Sequence, residues 1–146
     1  MKKRDYLKHL RLIRRYFMIK YKLKIADLEM LLFLYSENRF PKKTFNDFQQ
    51  TMRWEKGRLD RYIREGWVSV FREKTRSRKA IYQLTYRSKK IINQIYDLME
   101  GQEISVDPLY NPMFRKDATY KDKTFKGVAK RRNEAIRLQQ HPFRKL

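Results

Sequence analysis

Apolar residues recur at three- and four-residue steps along most of the chain, a spacing typical of amphipathic helices. We predict helices over residues 4–21, 26–37, 52–65, 85–100 and 124–139. A further short helix is predicted to open at Thr44, an N-cap residue type with Asp47 three positions on. Within the helix 52–65, Gly57 is expected to be an interior glycine that allows close approach of another helix or of DNA. Gly66 is expected to end that helix.

The pattern changes after Gly66. Residues 67–71 and 80–84 are rich in β-branched and aromatic types, which favours two strands. Between them, five of the eight residues 72–79 are cationic and none is aliphatic. Such a segment cannot pack on a core, so we expect a hairpin whose tip projects into water or onto an anion. The simpler alternative is a solvated hairpin whose charges only protect the strand edges from aggregation.

The order helix, helix, glycine, strand, basic tip, strand, Leu-Thr, helix predicts a winged helix-turn-helix. The fold class is mainly α with a small β-hairpin wing (α+β). Over about residues 24–101 the chain resembles the MarR family of DNA-binding regulators. The resemblance is carried by Tyr62-Ile63-Arg64-Glu65-Gly66-Trp67-Val68, by Arg78-Lys79-Ala80 and by Leu84-Thr85. The chain departs from the family at Thr75-Arg76-Ser77, where members often carry an acidic residue.

These elements suggest a domain organisation. We expect a winged-helix domain over residues 1–101, with the helix-turn-helix at 44–65 and the wing at 67–85. Pro108 and Pro112 break the pattern that follows, so an extended linker is predicted over residues 102–120. A basic C-terminal helix and tail are predicted over residues 121–146.

The net charge of the chain limits which classes of binding partner are expected. The 146 residues carry a formal net charge of +21. Basic residues exceed acidic ones by ten to one over residues 1–24, by sixteen to ten over 25–101 and by eleven to five over 102–146. Because every third of the chain is basic, we expect several contacts with a polyanion, and nucleic acid is the expected partner. A soluble protein with a high isoelectric point, such as a ribosome-associated factor, is the simpler alternative.

Several function classes find no support in the sequence. Cysteine is absent, and the two histidines, His9 and His141, stand at opposite ends, so neither a metal site nor a cofactor is expected. The acids are scattered among lysines and arginines and form no catalytic constellation, so we expect no enzyme activity. No apolar run approaches the roughly 20 residues that a membrane-spanning helix needs, so no membrane partner is expected.

The resemblance implies that the helix 52–65 reads the major groove of DNA and that the wing contacts the minor groove, with Arg76 and Arg78 inserted there. Lys42 and Lys43 are expected near the duplex backbone. The candidate DNA-binding residues are Lys42, Lys43, Thr44, Arg53, Trp54, Lys56, Gly57, Arg61, Lys74, Arg76, Arg78 and Lys79. Additional basic contacts are expected from the C-terminal helix at Lys126, Lys130 and Arg131.

The expected function is a MarR-like transcriptional regulator that acts as a homodimer in the cytoplasm or nucleoid. The dimer is expected to form through residues 4–21, 86–100 and 121–139, and the C-terminal extension is a candidate surface for a protein partner. Two other function classes remain open. One is an architectural DNA-coating protein with little sequence preference, carried in the virion if the chain is phage-encoded. The other is a factor that associates with RNA or the ribosome.

Overall fold

The structure, a computed structural model, describes residues 6–52 and 57–140. Its helices are α1 Tyr6–Tyr21, α2 Ile25–Tyr35, α3 Lys42–Gln50, α4 Arg58–Glu65, α5 Tyr86–Met99 and α6 Tyr120–Gln140, with a short 3-10 helix at Pro112–Phe114. Its strands are β1 Arg39–Pro41, β2 Val68–Arg72 and β3 Ile81–Leu84. The chain forms two compact units, which we call the winged unit (Lys24–Gln94) and the terminal unit (Met1–Leu23 with Ile95–Leu146).

The winged unit runs α2, β1, α3, α4, β2, β3 and into α5. Its three strands form an antiparallel sheet in the order β1-β3-β2. A helix pair, α3 and α4, followed by a hairpin that pairs back with a short strand is a winged helix-turn-helix, so the predicted fold is confirmed. We had expected residues 38–41 only to end a helix, whereas residues 39–41 form β1 and pair with Gln83, Tyr82 and Ile81.

The core of the winged unit explains why α2 is apolar nearly all round. Met30, Leu31 and Leu34 are fully buried, so α2 contributes side chains on more than one face. From α3, Phe45 meets Tyr62 of α4 edge to face, with ring centroids 5.9 Å apart at 77°, an arrangement that aromatic pairs favour. The two helices of the helix-turn-helix are therefore held together by buried aromatic packing.

Gly66 ends α4, as predicted. Its φ of 84° is left-handed, a conformation that glycine adopts without a Cβ penalty. The next amide, that of Trp67, donates to the Tyr62 carbonyl at 2.8 Å, which satisfies a carbonyl at the end of the helix. The chain then enters β2. After β3, at the same end of the hairpin as Gly66, Thr85 Oγ1 accepts from the Ser88 amide at 3.3 Å, so Thr85 caps α5 as predicted.

The terminal unit has its own apolar core, with Leu12, Ile13 and Phe17 of α1 buried. Both α6 and the 3-10 helix pack on α1. In the predicted linker, Ile104 and Met113 are buried. The predicted domain boundaries stay a prediction.

Arg132, which interrupts the apolar stripe of α6 in the sequence, is only 6% exposed. Its guanidinium donates to the carbonyl of Leu98, and also to that of Gln102 at 2.8 Å. The next residue, Asn133, both accepts from the Ile104 amide and donates to the Ile104 carbonyl. Burial lowers the pKa of Arg132. These two polar residues of α6 therefore satisfy backbone groups at and after the end of α5.

An ion pair joins α1 to α6 within the terminal unit and gives a pH prediction. Arg15 Nε donates to Asp122 Oδ1 at 2.8 Å, and the Asp122 side chain is 8% exposed. Burial alone would raise the pKa of Asp122, but hydrogen bonding to Arg15 and Thr119 outweighs it and lowers the pKa below its ordinary value. Because the folded-state pKa is lowered, the stabilisation is present above the unfolded-state pKa and is lost as pH falls through the folded-state value.

We therefore expect Asp122→Asn to lower the free energy of unfolding by about 1–3 kcal/mol at neutral pH. The difference from the unsubstituted protein should shrink as pH falls below the unfolded-state pKa of Asp122 and disappear below its folded-state pKa. Urea unfolding at several pH values measures both quantities. Asp117→Asn, at an exposed position of the same unit, is the matched control and should change little. A difference that persists unchanged at acidic pH would show that the Asp122 charge is not the cause.

Candidate nucleic-acid interface

The wing tip is an ordered, exposed turn. The Thr75 amide donates to the Arg78 carbonyl at 2.9 Å, and the Arg78 amide donates to Thr75 Oγ1 at 3.1 Å. At the base, Arg72 Nη2 donates to the Lys79 carbonyl at 3.1 Å, which closes the hairpin. Every residue from 73 to 79 is exposed. The tip is therefore held in a defined direction by its own backbone while its side chains remain in solvent.

Four predicted contact residues lie on that tip, namely Lys74, Arg76, Arg78 and Lys79. Among residues 6–52 and 57–140, none of the four has a carboxylate within the 4.0 Å of an ion pair. A close group of cations that is not neutralised by the protein produces a positive field in the surrounding water. The tip is thus suited to binding an anion.

The amino end of α3 brings two more predicted cations to the winged unit. The helix begins at Lys42 with Pro41 as its N-cap residue, so the expected helix start at Thr44 was wrong. Proline fixes its own φ and lacks the amide that a helix start leaves unpaired. Lys42 and Lys43 consequently lie in the first turn, both exposed. Lys43 has only a distant partner, Asp47 at 3.9 Å, and both side chains are mostly in solvent, so this pair is weak.

Helix α4 presents a different surface from the one expected. Arg58 is 3% exposed, and its Nη1 lies 3.8 Å from Met52 Sδ. The exposed residues of α4 are Asp60, Arg64 and Glu65. The described part of the predicted recognition helix therefore shows two carboxylates and one guanidinium to solvent, and it is not the cationic face that the sequence suggested.

Arg61, a predicted groove contact, forms an ion pair inside the winged unit. Its Nη2 donates to Asp27 Oδ1 at 2.6 Å, and the two side chains are 22% and 6% exposed. Tyr62 Oη donates to the same oxygen at 2.6 Å. Because the Arg61 guanidinium donates to a buried carboxylate of α2, it holds α4 against α2 within the winged unit.

Asp27 lies at the centre of the buried cluster that it forms with Arg61 and Tyr62. This role of Asp27 was not predicted from the sequence. Asp27 is 4% exposed, and its Oδ2 also accepts from the Lys24 amide at 3.2 Å. Burial and the hydrogen bond to Asp27 raise the pKa of Tyr62, which keeps that phenol protonated and donating. One carboxylate thus caps α2 and binds two side chains of α4. The sequence showed two acidic residues on a largely apolar helix, Asp27 and Glu29, with no local feature to indicate which of them is buried.

Gly57 is not the interior glycine that we expected. Its φ of 72° is left-handed, and α4 begins only at Arg58. A residue with this φ cannot continue an α-helix, so the predicted helix over residues 52–65 was too long at its amino end. Three predicted contacts, Arg53, Trp54 and Lys56, lie outside the described residues.

The C-terminal contact candidates lie on α6 in the terminal unit. The Lys126 and Lys130 ammonium groups stand 5.5 and 6.0 Å from the ring centre of Phe114, within the range of a cation–π interaction. Arg131 is exposed. Whether these three cations bind nucleic acid stays a prediction.

Neither a metal-binding cluster nor a membrane-spanning helix occurs in the part of the chain that the structure describes. Over residues 6–52 and 57–140, no cluster of three or more His, Cys, Asp or Glu residues could hold a metal ion. Within the same ranges, every helix is too short or too polar to cross a bilayer.

Comparisons with known proteins return few similarities. No protein-family model and no curated protein matches the chain. Among solved structures, the chain is similar to a crystal structure of a MarR mutant from E. coli complexed with operator DNA. The identity is 18%, the alignment covers 86% of this chain and 85% of that chain, and the TM-score is 0.45. The winged-helix assignment rests on the element order and sheet topology of the chain itself.

Proposed function

We propose that the protein binds double-stranded DNA through the winged unit and acts as a MarR-like transcriptional regulator. The observation that carries the proposal is the wing tip, where Lys74, Arg76, Arg78 and Lys79 stand in solvent without carboxylate partners among the described residues. A hairpin that carries such charge on a winged helix-turn-helix is suited to the phosphate-lined minor groove, where arginine is favoured.

The remaining contacts follow from the position of the cations. Lys42 and Lys43, in the first turn of α3, bind backbone phosphates together with the unpaired amides of that turn. The helix-turn-helix of α3 and α4 enters the major groove. The exposed Arg64 reads guanine there, and Asp60 and Glu65 accept hydrogen bonds from cytosine amino groups. The chain acts as a homodimer, so that two winged units bind two half-sites.

A second candidate is an architectural protein that coats duplex DNA with little sequence preference. It is favoured by the composition of the exposed face of α4, where two of the three side chains are acidic. Six exposed cations of the winged unit, by contrast, lie on the wing tip and at the start of α3, positions that serve backbone contact, namely Lys42, Lys43, Lys74, Arg76, Arg78 and Lys79. Backbone contact supplies affinity but carries no direct sequence information.

Selection of duplexes from a random pool distinguishes the two candidates. A regulator should enrich a motif whose affinity exceeds that of random DNA by about a thousandfold or more. For a homodimer, the motif should be palindromic, with half-sites about 10 base pairs or a multiple apart. Selection at about 50 and 200 mM salt separates this preference from the ionic contribution.

An architectural protein should bind all duplexes with similar affinity and a steep dependence on salt. Structured RNA is the third arm of the experiment. Strongest binding to RNA would contradict both candidates, and failure to enrich any motif would contradict the regulator.

A further inference from the structure

Arg39 and Phe71 meet on the solvent side of the sheet, at the base of the wing. The Arg39 Cζ atom lies 3.6 Å from the centre of the Phe71 ring, which places the guanidinium on the face of the ring. Both residues are exposed, and Phe71 retains 45% of its surface in solvent. Neither residue stood out in the sequence, because they are separated by more than thirty positions and belong to different strands.

The sheet register explains how Phe71 reaches this position. Val70 pairs with Tyr82 and Arg72 pairs with Ile81, so that Phe71 is an extra residue in β2. Phe71 stands two positions after Ser69 in β2, so the alternation of side chains along a strand places both on the same face. On the opposite edge of the sheet, Arg39 pairs with Gln83 of β3, which in turn pairs with Ser69 of β2. The ring of Phe71 is therefore exposed on the face that carries Arg39.

This contact leaves the polar edge of Arg39 available to a ligand. Among residues 6–52 and 57–140 the structure gives Arg39 no carboxylate partner. A guanidinium that stacks on an aromatic face keeps its N–H groups directed outward in the plane, where they can bind two phosphate oxygens at once. Stacking also restricts the side chain before binding, so less conformational entropy is lost when the ligand arrives.

The neighbours of the pair indicate which ligand it binds. Phe71 immediately precedes Arg72, whose guanidinium closes the base of the wing tip. Arg39 is followed after two residues by Lys42 and Lys43, in the first turn of α3. Phe71 and Arg39 therefore lie in the two chain segments that lead to the proposed backbone contacts, which are the wing tip and the first turn of α3.

We propose that the stacked Arg39–Phe71 pair is a phosphate-binding site that grips the duplex backbone beside the wing. Arg39 donates to the phosphate, and Phe71 is the positioning residue that holds the guanidinium in place. The proposal rests on the proposed function, since it concerns a phosphate of the same bound duplex. It adds a contact at the sheet edge that is independent of the wing-tip arginines.

The test measures the affinity for a fluorescent duplex of random sequence at about 50 and 200 mM salt, with five variants, one of which is a control. Arg39→Ala should weaken binding about tenfold, the effect of removing one hydrogen-bonded charge. It should also reduce the salt slope by about 0.9, the value for one phosphate. Arg39→Lys keeps the charge but not the planar fork, so it should recover the slope and only part of the affinity.

The role of Phe71 is tested by coupling. Phe71→Ala should weaken binding by several-fold while leaving the net charge unchanged. The double variant Arg39→Ala with Phe71→Ala should bind about as weakly as Arg39→Ala alone, because the ring acts only through the guanidinium. Effects that multiply would overturn the positioning role.

Arg87 provides the matched control. It also stacks on an aromatic ring, that of Trp67 at 3.9 Å, but its Nη1 donates to the Glu65 carbonyl at 3.3 Å. Arg87→Ala should therefore reduce affinity by much less than Arg39→Ala, and equal reductions would overturn the site. If the unsubstituted protein bound no duplex even at low salt, the proposed function would fail and this site with it. Normal binding by the unsubstituted protein and by Arg39→Ala would contradict the site alone.

Discussion

Replacing Arg76 and Arg78 together with alanine is expected to weaken duplex binding by at least one order of magnitude. Both guanidinium groups lie on the exposed turn of the wing tip, and each is expected to make a charge-assisted hydrogen bond worth about 1.5–3 kcal/mol. The slope of log affinity against log salt should fall by about 0.9 for each phosphate that the variant no longer neutralises. Fluorescence anisotropy at several salt concentrations measures both quantities.

The matched control removes the same charge elsewhere. Lys121 and Lys123 are exposed on α6 in the terminal unit. Lys121→Ala with Lys123→Ala should therefore lower the net charge equally while leaving most of the affinity. Equal weakening by the two pairs would mean that total charge, and not the wing, determines binding. Unchanged affinity after the wing substitutions would remove the wing from the mechanism.

Asp27→Ala is expected to cost about 3–5 kcal/mol of unfolding free energy, the usual effect of removing one partner from a buried ion pair. The substitution removes the carboxylate oxygen that accepts from both Arg61 and Tyr62 in a largely buried site. It also removes the acceptor for the Lys24 amide at the start of α2. Urea unfolding followed by far-UV circular dichroism measures the change.

Two further variants show whether the loss of the buried carboxylate causes the destabilisation. Asp27→Asn keeps an acceptor oxygen but not the charge, so its cost should be intermediate. Asp47→Ala removes an exposed carboxylate whose partner Lys43 is 3.9 Å away, and it should cost less than about 1 kcal/mol. A similar cost for Asp27→Ala and Asp47→Ala would show that the buried cluster does not hold α4 in place.

The wing could be predicted because its signal is local. Five cations among the eight residues 72–79, bounded by β-branched and aromatic runs, leave no core-facing position in the segment. The end of α4 could also be predicted from the sequence, since Gly66 adopts the left-handed conformation that ends helices. Features determined by a few adjacent residues are thus visible in the sequence alone.

The role of Arg61 could not be predicted because its partner is remote. Its spacing on α4 fits a basic outer face, and only the tertiary structure brings it against Asp27, 34 positions earlier. The same limit applies to Arg39 and Phe71, whose contact depends on the pairing of β1 and β2 with β3. A surface that is read from charge periodicity therefore includes residues that the fold uses internally.

Two local features were also misread, each for an identifiable reason. Gly57 has the same chemical freedom inside a helix and before one, so its left-handed φ could not be inferred. Strand β1 has only three residues, too few to show the two-residue alternation of a strand. It becomes a strand because β3 offers it hydrogen-bonding partners.

The hydrogen bonds that Arg132 and Asn133 make have a practical consequence for dissecting the chain. Arg132 donates to the carbonyls of Leu98 and Gln102, and Asn133 donates to the carbonyl of Ile104. Side chains of α6 therefore satisfy backbone carbonyls in the last turn of α5 and just after it. A fragment trimmed after residue 101 would keep every strand of the wing yet lack the groups that finish its final helix. Fraying of α5 in such a fragment would then be caused by the truncation and would not be a property of the intact chain.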